Sequence, residues 1–202
     1  FNEAVSLVST DDFTLTKTGT ANGTISNIST NDNIIWSITI SNISGDGTLR
    51  LDLNENTDIQ DEAGNTNPIA KIGDDTHTVD FINPTFVSNN STPKHSGTNF
   101  SASANIVMAF SENITFGTNK IVIREVATNA IVEDFDVTVN NTGGDNPNPG
   151  EIGISGRFLY INPTSDLIAD GREYAIRMNA NAIDDLNGNS FIGMSNNNFY
   201  RF

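Results

Sequence analysis

Apolar and polar residues alternate along much of this chain. Ile34, Trp36, Ile38 and Ile40 share one side of a two-residue period, with Ile35, Ser37 and Thr39 opposite. Leu49, Leu51 and Leu53 alternate with Arg50 and Asp52, and Tyr174, Ile176 and Met178 with Ala175 and Arg177. Successive strand side chains point to opposite faces, so these runs predict half-buried strands. Ala-Asn-Gly at 21–23, Gly-Asp-Gly at 45–47, Asp-Gly at 170–171 and Asn-Gly at 187–188 separate such runs and favour turns. Five of the six prolines follow Asn, a step that starts turns and interrupts central strands. No stretch holds a helical apolar period beyond about two turns. The prediction is an all-β fold.

Composition narrows the function. Hydrophobic residues make up 36% and charged residues 17%, and the remainder is rich in Thr, Ser, Gly and above all Asn, which occurs 30 times. That mixture disfavours helices and suits short strands joined by turns. The net charge is −15, from 25 acidic and 10 basic residues. A nucleic-acid binder needs a basic face, and so does a protein that docks on anionic lipid, so neither partner is expected. Cysteine is absent, which excludes disulfides, thiolate metal sites and cysteine nucleophiles. No apolar run approaches the roughly 18 residues of a membrane span, so no membrane insertion is expected. The chain opens at Phe1 in mid-pattern and reads as a piece of a longer protein.

An internal repeat sets the domain organisation. Phe1-Asn2-Glu3-Ala4-Val5 is similar to Phe110-Ser111-Glu112-Asn113-Ile114. Ile59-Gln60-Asp61-Glu62-Ala63-Gly64-Asn65-Thr66 is similar to Ile183-Asp184-Asp185-Leu186-Asn187-Gly188-Asn189-Ser190. The second copy is longer between its motifs, largely through a Gly- and Asn-Pro-rich stretch over 140–151. Two domains follow, 1–82 and 83–202, with the boundary in Val-Asp-Phe-Ile-Asn-Pro.

These motifs resemble the tandem bacterial Ig-like repeats of large surface proteins and adhesins. The likeness rests on the Phe-x-Glu motif, Ser44-Gly45-Asp46-Gly47-Thr48-Leu49-Arg50-Leu51, Asp61-Glu62-Ala63-Gly64-Asn65 and Thr78-Val79-Asp80. Residues 84–202 are similar to the Ig-like domains of S-layer proteins, through Phe110 to Glu112, Asn162-Pro163 and Asp185 to Asn189. The resemblance implies two tandem Greek-key β-sandwiches serving as spacer or adhesive modules, often with calcium at the junctions. Seven strands fit the second domain: A near 85–88, B 105–110, C 120–126, D 131–139, E 157–161, F 173–179 and G 198–202. The first domain fits C 13–18, D 23–29, E 34–41, F 48–53 and G 76–81, and lacks A and B. A sandwich without those strands is expected to show a gap and an open edge.

Loop parity supplies the site. In this topology the Phe-x-Glu loop, the Asp-x-x-Gly-Asn loop and the incoming linker share one pole. Glu112, Asp184, Asp185 and Asn189 are therefore expected to approach Asp80 and Asn83 of the linker. Converging hard oxygens suit Ca²⁺, which takes six to eight of them. Glu3, Asp61 and Asn65, beside Glu62, form the matching set of the first domain. The same Asp-x-x-Gly-Asn string also reads as a tight turn with no metal.

Other chemistry is sparse. His77 falls in a strand-like Thr-His-Thr and His95 in a loop, and no nucleophile motif accompanies either, so no enzyme is expected. Trp36 and Tyr174 face inward by alternation, which leaves Tyr160 and Tyr200 as exposed-aromatic candidates. The expectation is a non-catalytic structural or adhesive spacer of a secreted or cell-surface bacterial protein, stiffened by Ca²⁺. Its partners would be neighbouring Ig-like repeats of the same chain, with a cell-surface or glycan ligand. The alternative is a carbohydrate- or protein-binding accessory module of an extracellular enzyme.

Overall fold

The alternating runs form antiparallel ladders throughout. A computed structural model describes residues 1–66, 69–98 and 100–202. Two units are resolved, Phe1–Ile82 and Asn83–Phe202.

The first unit contains β1 (Val5–Ser6), β2 (Phe13–Lys17), β3 (Asn22–Thr30), β4 (Trp36–Ser44), β5 (Gly47–Leu53), β6 (Gln60–Asp61) and β7 (His77–Val79). β5 lies between β2 and β7 in one sheet, β3 pairs with β4 in another, and β1 pairs with β6. Among the described residues, the other edge of β4 carries no strand. Its inward residues Trp36, Ile38 and Ile40 accordingly remain half-buried, while Ile35 is 72% exposed. The buried cluster is small: Ala21, Leu49 and Val79, with Leu15 and Ile40 packed against it. On β5, Asp52 accepts from Arg50 at 2.8 Å, from the Thr16 hydroxyl and from the Gly73 amide. Those donors, the guanidinium first, hold its carboxyl well below the usual carboxylate range.

The second unit contains β8 (Ile106–Ala109), β9 (Ile114–Phe116), β10 (Lys120–Glu125), β11 (Ile131–Asp136), β12 (Glu151–Ser155), β13 (Phe158–Asn162), β14 (Tyr174–Met178) and β15 (Ile183–Asp185). Its two main sheets have the orders β11-β10-β14 and β12-β13-β8, with β9 and β15 forming a short pair. Alternate residues of both sheets meet in one core. Ile121, Ile123 and Ile176 come from one sheet and Met108, Leu159 and Ile161 from the other, and all are fully buried. This is a β-sandwich, with twenty buried residues in a single cluster.

The sequence-based strand assignment needs four corrections here. Residues 131–136, assigned to strand D, pair with β10 as a hairpin partner in the β14 sheet. The strand beside β13 is instead β12, which was hidden behind the turn signals over 140–150 and by Gly153. A side chain at Gly153 would lie 2.3 Å from the Gly144 carbonyl oxygen, so this strand needs a glycine where the 143–144 loop crosses it. Strands A and G are reduced to single bridges, Phe86 opposite Phe110 and Arg201 opposite Ala175. Ile114–Phe116 and Ile183–Asp185, read as loops, are strands too short to show a period.

Candidate functional site

The repeated motifs build the same corner twice. In the first unit Val5 pairs with Asp61, and in the second Ile114 pairs with Asp185. These are the positions that the repeat places in equivalence. Beyond each aspartate the chain turns back through a glycine with positive φ, +84° at Gly64 and +91° at Gly188. A side chain would be strained there, although both positions face open space. The Asp61 amide then donates to the Asn65 carbonyl at 3.1 Å, and the Asp185 amide to the Asn189 carbonyl at 2.9 Å. The next residues close the corner, as Thr66 bridges Gln60 and Ser190 bridges Asp184.

Inside each turn the aspartate is the acceptor. Asp185 receives the Asn187 and Asn189 amides at 2.8 Å each and the Asn189 side-chain nitrogen at 2.7 Å. Asp61 receives the Asn65 amide and side-chain nitrogen, both at 2.8 Å. The loop therefore turns its amides inward, closing a ring of donors around a carboxylate. Burial pushes the Asp185 carboxyl up, but bonds from Asn189, Asn187 and Gly188 outweigh it and leave the group below the ordinary range. The Asn65 side chain, followed by backbone donors, lowers Asp61 likewise. Asp185 is only 2% exposed, so it is a buried anion held by hydrogen bonds.

Replacing Asp185 by alanine removes the acceptor for these donors in a buried site. The expected cost is about 2–3 kcal/mol, read by chemical denaturation, with Asp185→Asn intermediate. An effect below about 0.5 kcal/mol would show that the loop holds itself without the carboxylate.

Glu112 stands between β8 and β9, next to Ser111, whose hydroxyl donates to it at 3.3 Å. Ser111 itself exchanges bonds with Thr85: its amide reaches the Thr85 carbonyl, and its hydroxyl accepts the Thr85 amide. This arrangement brings a Glu112 carboxylate oxygen within 4.8 Å of one on Asp185. Two of the residues that loop parity assigned to one pole thus meet. Asp184 does not share their direction. It precedes Asp185 on a strand, its side chain takes the Ser190 hydroxyl at 2.6 Å, and it lies over Gly117. Asn189 supplies a donor to Asp185 through its side-chain nitrogen. In the first unit, Glu3 and Asn65 are exposed, Asp61 is half-buried, and the Asp80 carboxylate accepts the Ile82 amide. Among the described residues of the second unit, Glu112 and Asp185 bring carboxylate oxygens close enough that they could share a cation.

The aromatic candidates divide between the core and its rim. Tyr200 is fully buried, and its hydroxyl donates to the Pro93 carbonyl at 2.5 Å. Tyr160 is half-buried, so the pair forms no exposed platform. Tyr174 is buried as expected, whereas Trp36 is half-buried. The half-buried rings of Phe100 and Phe202, which no sequence signal marked, lie together at 5.4 Å. No helix among the described residues is long and apolar enough to cross a membrane.

Comparison with known proteins finds no match among curated proteins or solved structures. A family profile does match, that of the bacterial Ig-like domain, over residues 80–202. The matched stretch is more than half of the chain and takes in the whole sandwich with its Glu112–Asp185 corner, so the chain belongs to the bacterial Ig-like domain family.

Proposed function

We propose that the protein is a structural spacer of a secreted or cell-surface bacterial protein, made of two Ig-like units and stiffened by Ca²⁺. Family membership supports the coarse reading of a bacterial surface or structural module. The observation that carries the metal is the approach of Glu112 to Asp185. Two carboxylates about 5 Å apart repel by about 3 kcal/mol at the effective dielectric of a protein surface. The donors around Asp185 favour its ionised form, so a cation relieves this repulsion better than a proton does. In this reading Asp184 and Asn189 stand outside the ligand set, engaged with the Ser190 hydroxyl and the Asp185 carboxylate. Glu3, Asp61 and Asn65 mark the equivalent place on the first unit, to be met by a preceding repeat. The ion would neutralise the corner and restrict bending between repeats. Catalysis has no part in the proposal.

Calcium titration by calorimetry, with Mg²⁺ and EDTA controls, tests it. The expected dissociation constant is on the order of 10⁻⁴–10⁻³ M, as in extracellular calcium modules. At a free concentration about 100-fold above that constant, binding would add roughly 2.7 kcal/mol of stability. Glu112→Gln isolates the ligand because it leaves the Asp185 donor ring intact, and it should weaken binding about tenfold or more. No calcium-specific heat up to about 10 mM would overturn the metal and leave the family assignment standing.

A further inference from the structure

Around Arg172 the second unit carries three adjoining hollows that the calcium reading does not use. They measure about 660, 480 and 400 Å³, and Arg172 lines all three. Their size is that of ligand sites, and their contiguity suits a chain rather than one compact molecule. The largest has an aromatic floor. Phe100 and Phe202 stand at 71° to one another, and Tyr174 lies beside Phe202 at 6.4 Å.

The walls are fixed before any ligand arrives. The Leu167 amide donates to the Ala102 carbonyl at 3.1 Å, and the Ile168 amide to the Tyr174 hydroxyl at 3.0 Å. Thr164 is tied to Glu133 through both its amide, at 2.9 Å, and its hydroxyl, at 2.5 Å. Such prior ordering lowers the entropy cost of binding.

Charge selects the ligand class. Among the described lining residues the cations are Arg172 and Arg201, and each already faces a carboxylate. Arg172 lies 3.0 Å from Asp170 and 3.6 Å from Glu125, and Arg201 lies 3.3 Å from Glu173. An anion would find no uncompensated positive charge there, on a chain whose net charge is −15. Of the carboxylates among the described lining residues, Glu125, Asp170 and Glu173 face these arginines and Glu133 takes Thr164, which leaves Asp166 and no cluster for a free cation. What remains is a lining of hydroxyls and backbone polar groups, from Ser96, Thr164 and Ser165 among others, beside the Phe100 and Phe202 rings. A neutral oligosaccharide matches it, since its hydroxyls both donate and accept while its C–H faces pack on aromatic rings.

The geometry points to a binding cleft for a neutral oligosaccharide, several sugars long, running past Arg172 from the Phe100–Phe202 floor. This goes beyond the spacer reading and does not depend on calcium. The test titrates the 202-residue chain with cellohexaose, xylohexaose, laminarihexaose and chitohexaose, with polygalacturonate and an extended Val/Thr peptide as controls. Amide chemical shifts are followed in EDTA, so that failure of the calcium site cannot affect the outcome.

At least one neutral hexasaccharide is expected to bind with a dissociation constant below about 1 mM. It should move the resonances of Phe100, Arg172 and Phe202 and leave those of the Asp185 turn in place. Arg172→Gln and Phe100→Ala should each weaken that binding about tenfold or more. Shift mapping on the unaltered chain decides the matter if either variant folds poorly. The cleft is overturned if none of the four sugars binds at about 5 mM, if the shifts map elsewhere, or if only polygalacturonate or the peptide binds.

Discussion

Phe110→Ala should cost the second unit about 3–5 kcal/mol. Phe110 is fully buried just beyond β8 and meets Phe191 edge to face, with ring centroids 5.3 Å apart at 87°. Phe86 lies at 6.4 Å on another side and itself packs at 4.9 Å on Tyr200. Truncation therefore removes the largest hydrophobic contribution at this point and opens a void bordered by rings, which cannot collapse freely because β8 is held by β13. Phe110→Leu retains much of the volume and should cost less than about 1.5 kcal/mol. Denaturant unfolding followed by tyrosine near-ultraviolet dichroism separates these outcomes, because Tyr160, Tyr174 and Tyr200 all lie in this unit. A loss under about 1 kcal/mol for alanine would mean that the aromatic cluster is not the keystone of this core.

The Phe-x-Glu motif gains a physical meaning from this packing. Phe110 anchors the end of β8 in the core, Ser111 ties the next residue to Thr85, and Glu112 emerges beside Asp185. A hydrophobic anchor two residues before a carboxylate is a way of aiming that carboxylate. The motif was visible in the sequence because both members are local and the motif recurs. The Asp-x-x-Gly-Asn turn was visible for the same reason. Its inner chemistry was not, since whether amides or carbonyls point inward depends on backbone angles that Gly188 leaves open.

What the sequence hid follows one rule. Runs with four or more alternating positions, such as Trp36 to Ile40 and Tyr174 to Met178, appear as strands where expected. β9 and β15 have three residues each, and three residues hold no measurable period. Missing β15 as a strand made Asp184 and Asp185 look like neighbours in one site, although pairing sends them to opposite sides. Tyr200 comes after three asparagines and Phe199 and gave no sign of burial, because Phe86 and Pro93, which it meets, come from more than a hundred positions earlier. The cleft around Arg172 is likewise assembled from distant segments, Phe100 from one end of the unit and Phe202 from the other.

The first unit should be far less tolerant of damage, and Leu49→Ala tests this directly. Leu49 is 5% exposed on central strand β5, where it pairs with Lys17 on one side and His77 on the other. Loss of a buried leucine side chain typically removes about 2–5 kcal/mol. The buried cluster here has only Ala21, Leu49 and Val79 at its centre, so few atoms remain to close over the void. A core of this size supplies on the order of 3–5 kcal/mol in total, and the substitution should take most of it. Trp36 is the single tryptophan of the chain and lies half-buried on β4, which makes its emission a reporter of this unit alone. In Leu49→Ala the Trp36 emission should shift to the red at 25 °C, while the tyrosine dichroism of the second unit persists. The two buried clusters share no member, and this separation is the expected consequence. Simultaneous loss of both signals would show instead that one unit cannot stand without the other. An unchanged Trp36 emission would place the stability of the first unit outside its Leu49 cluster.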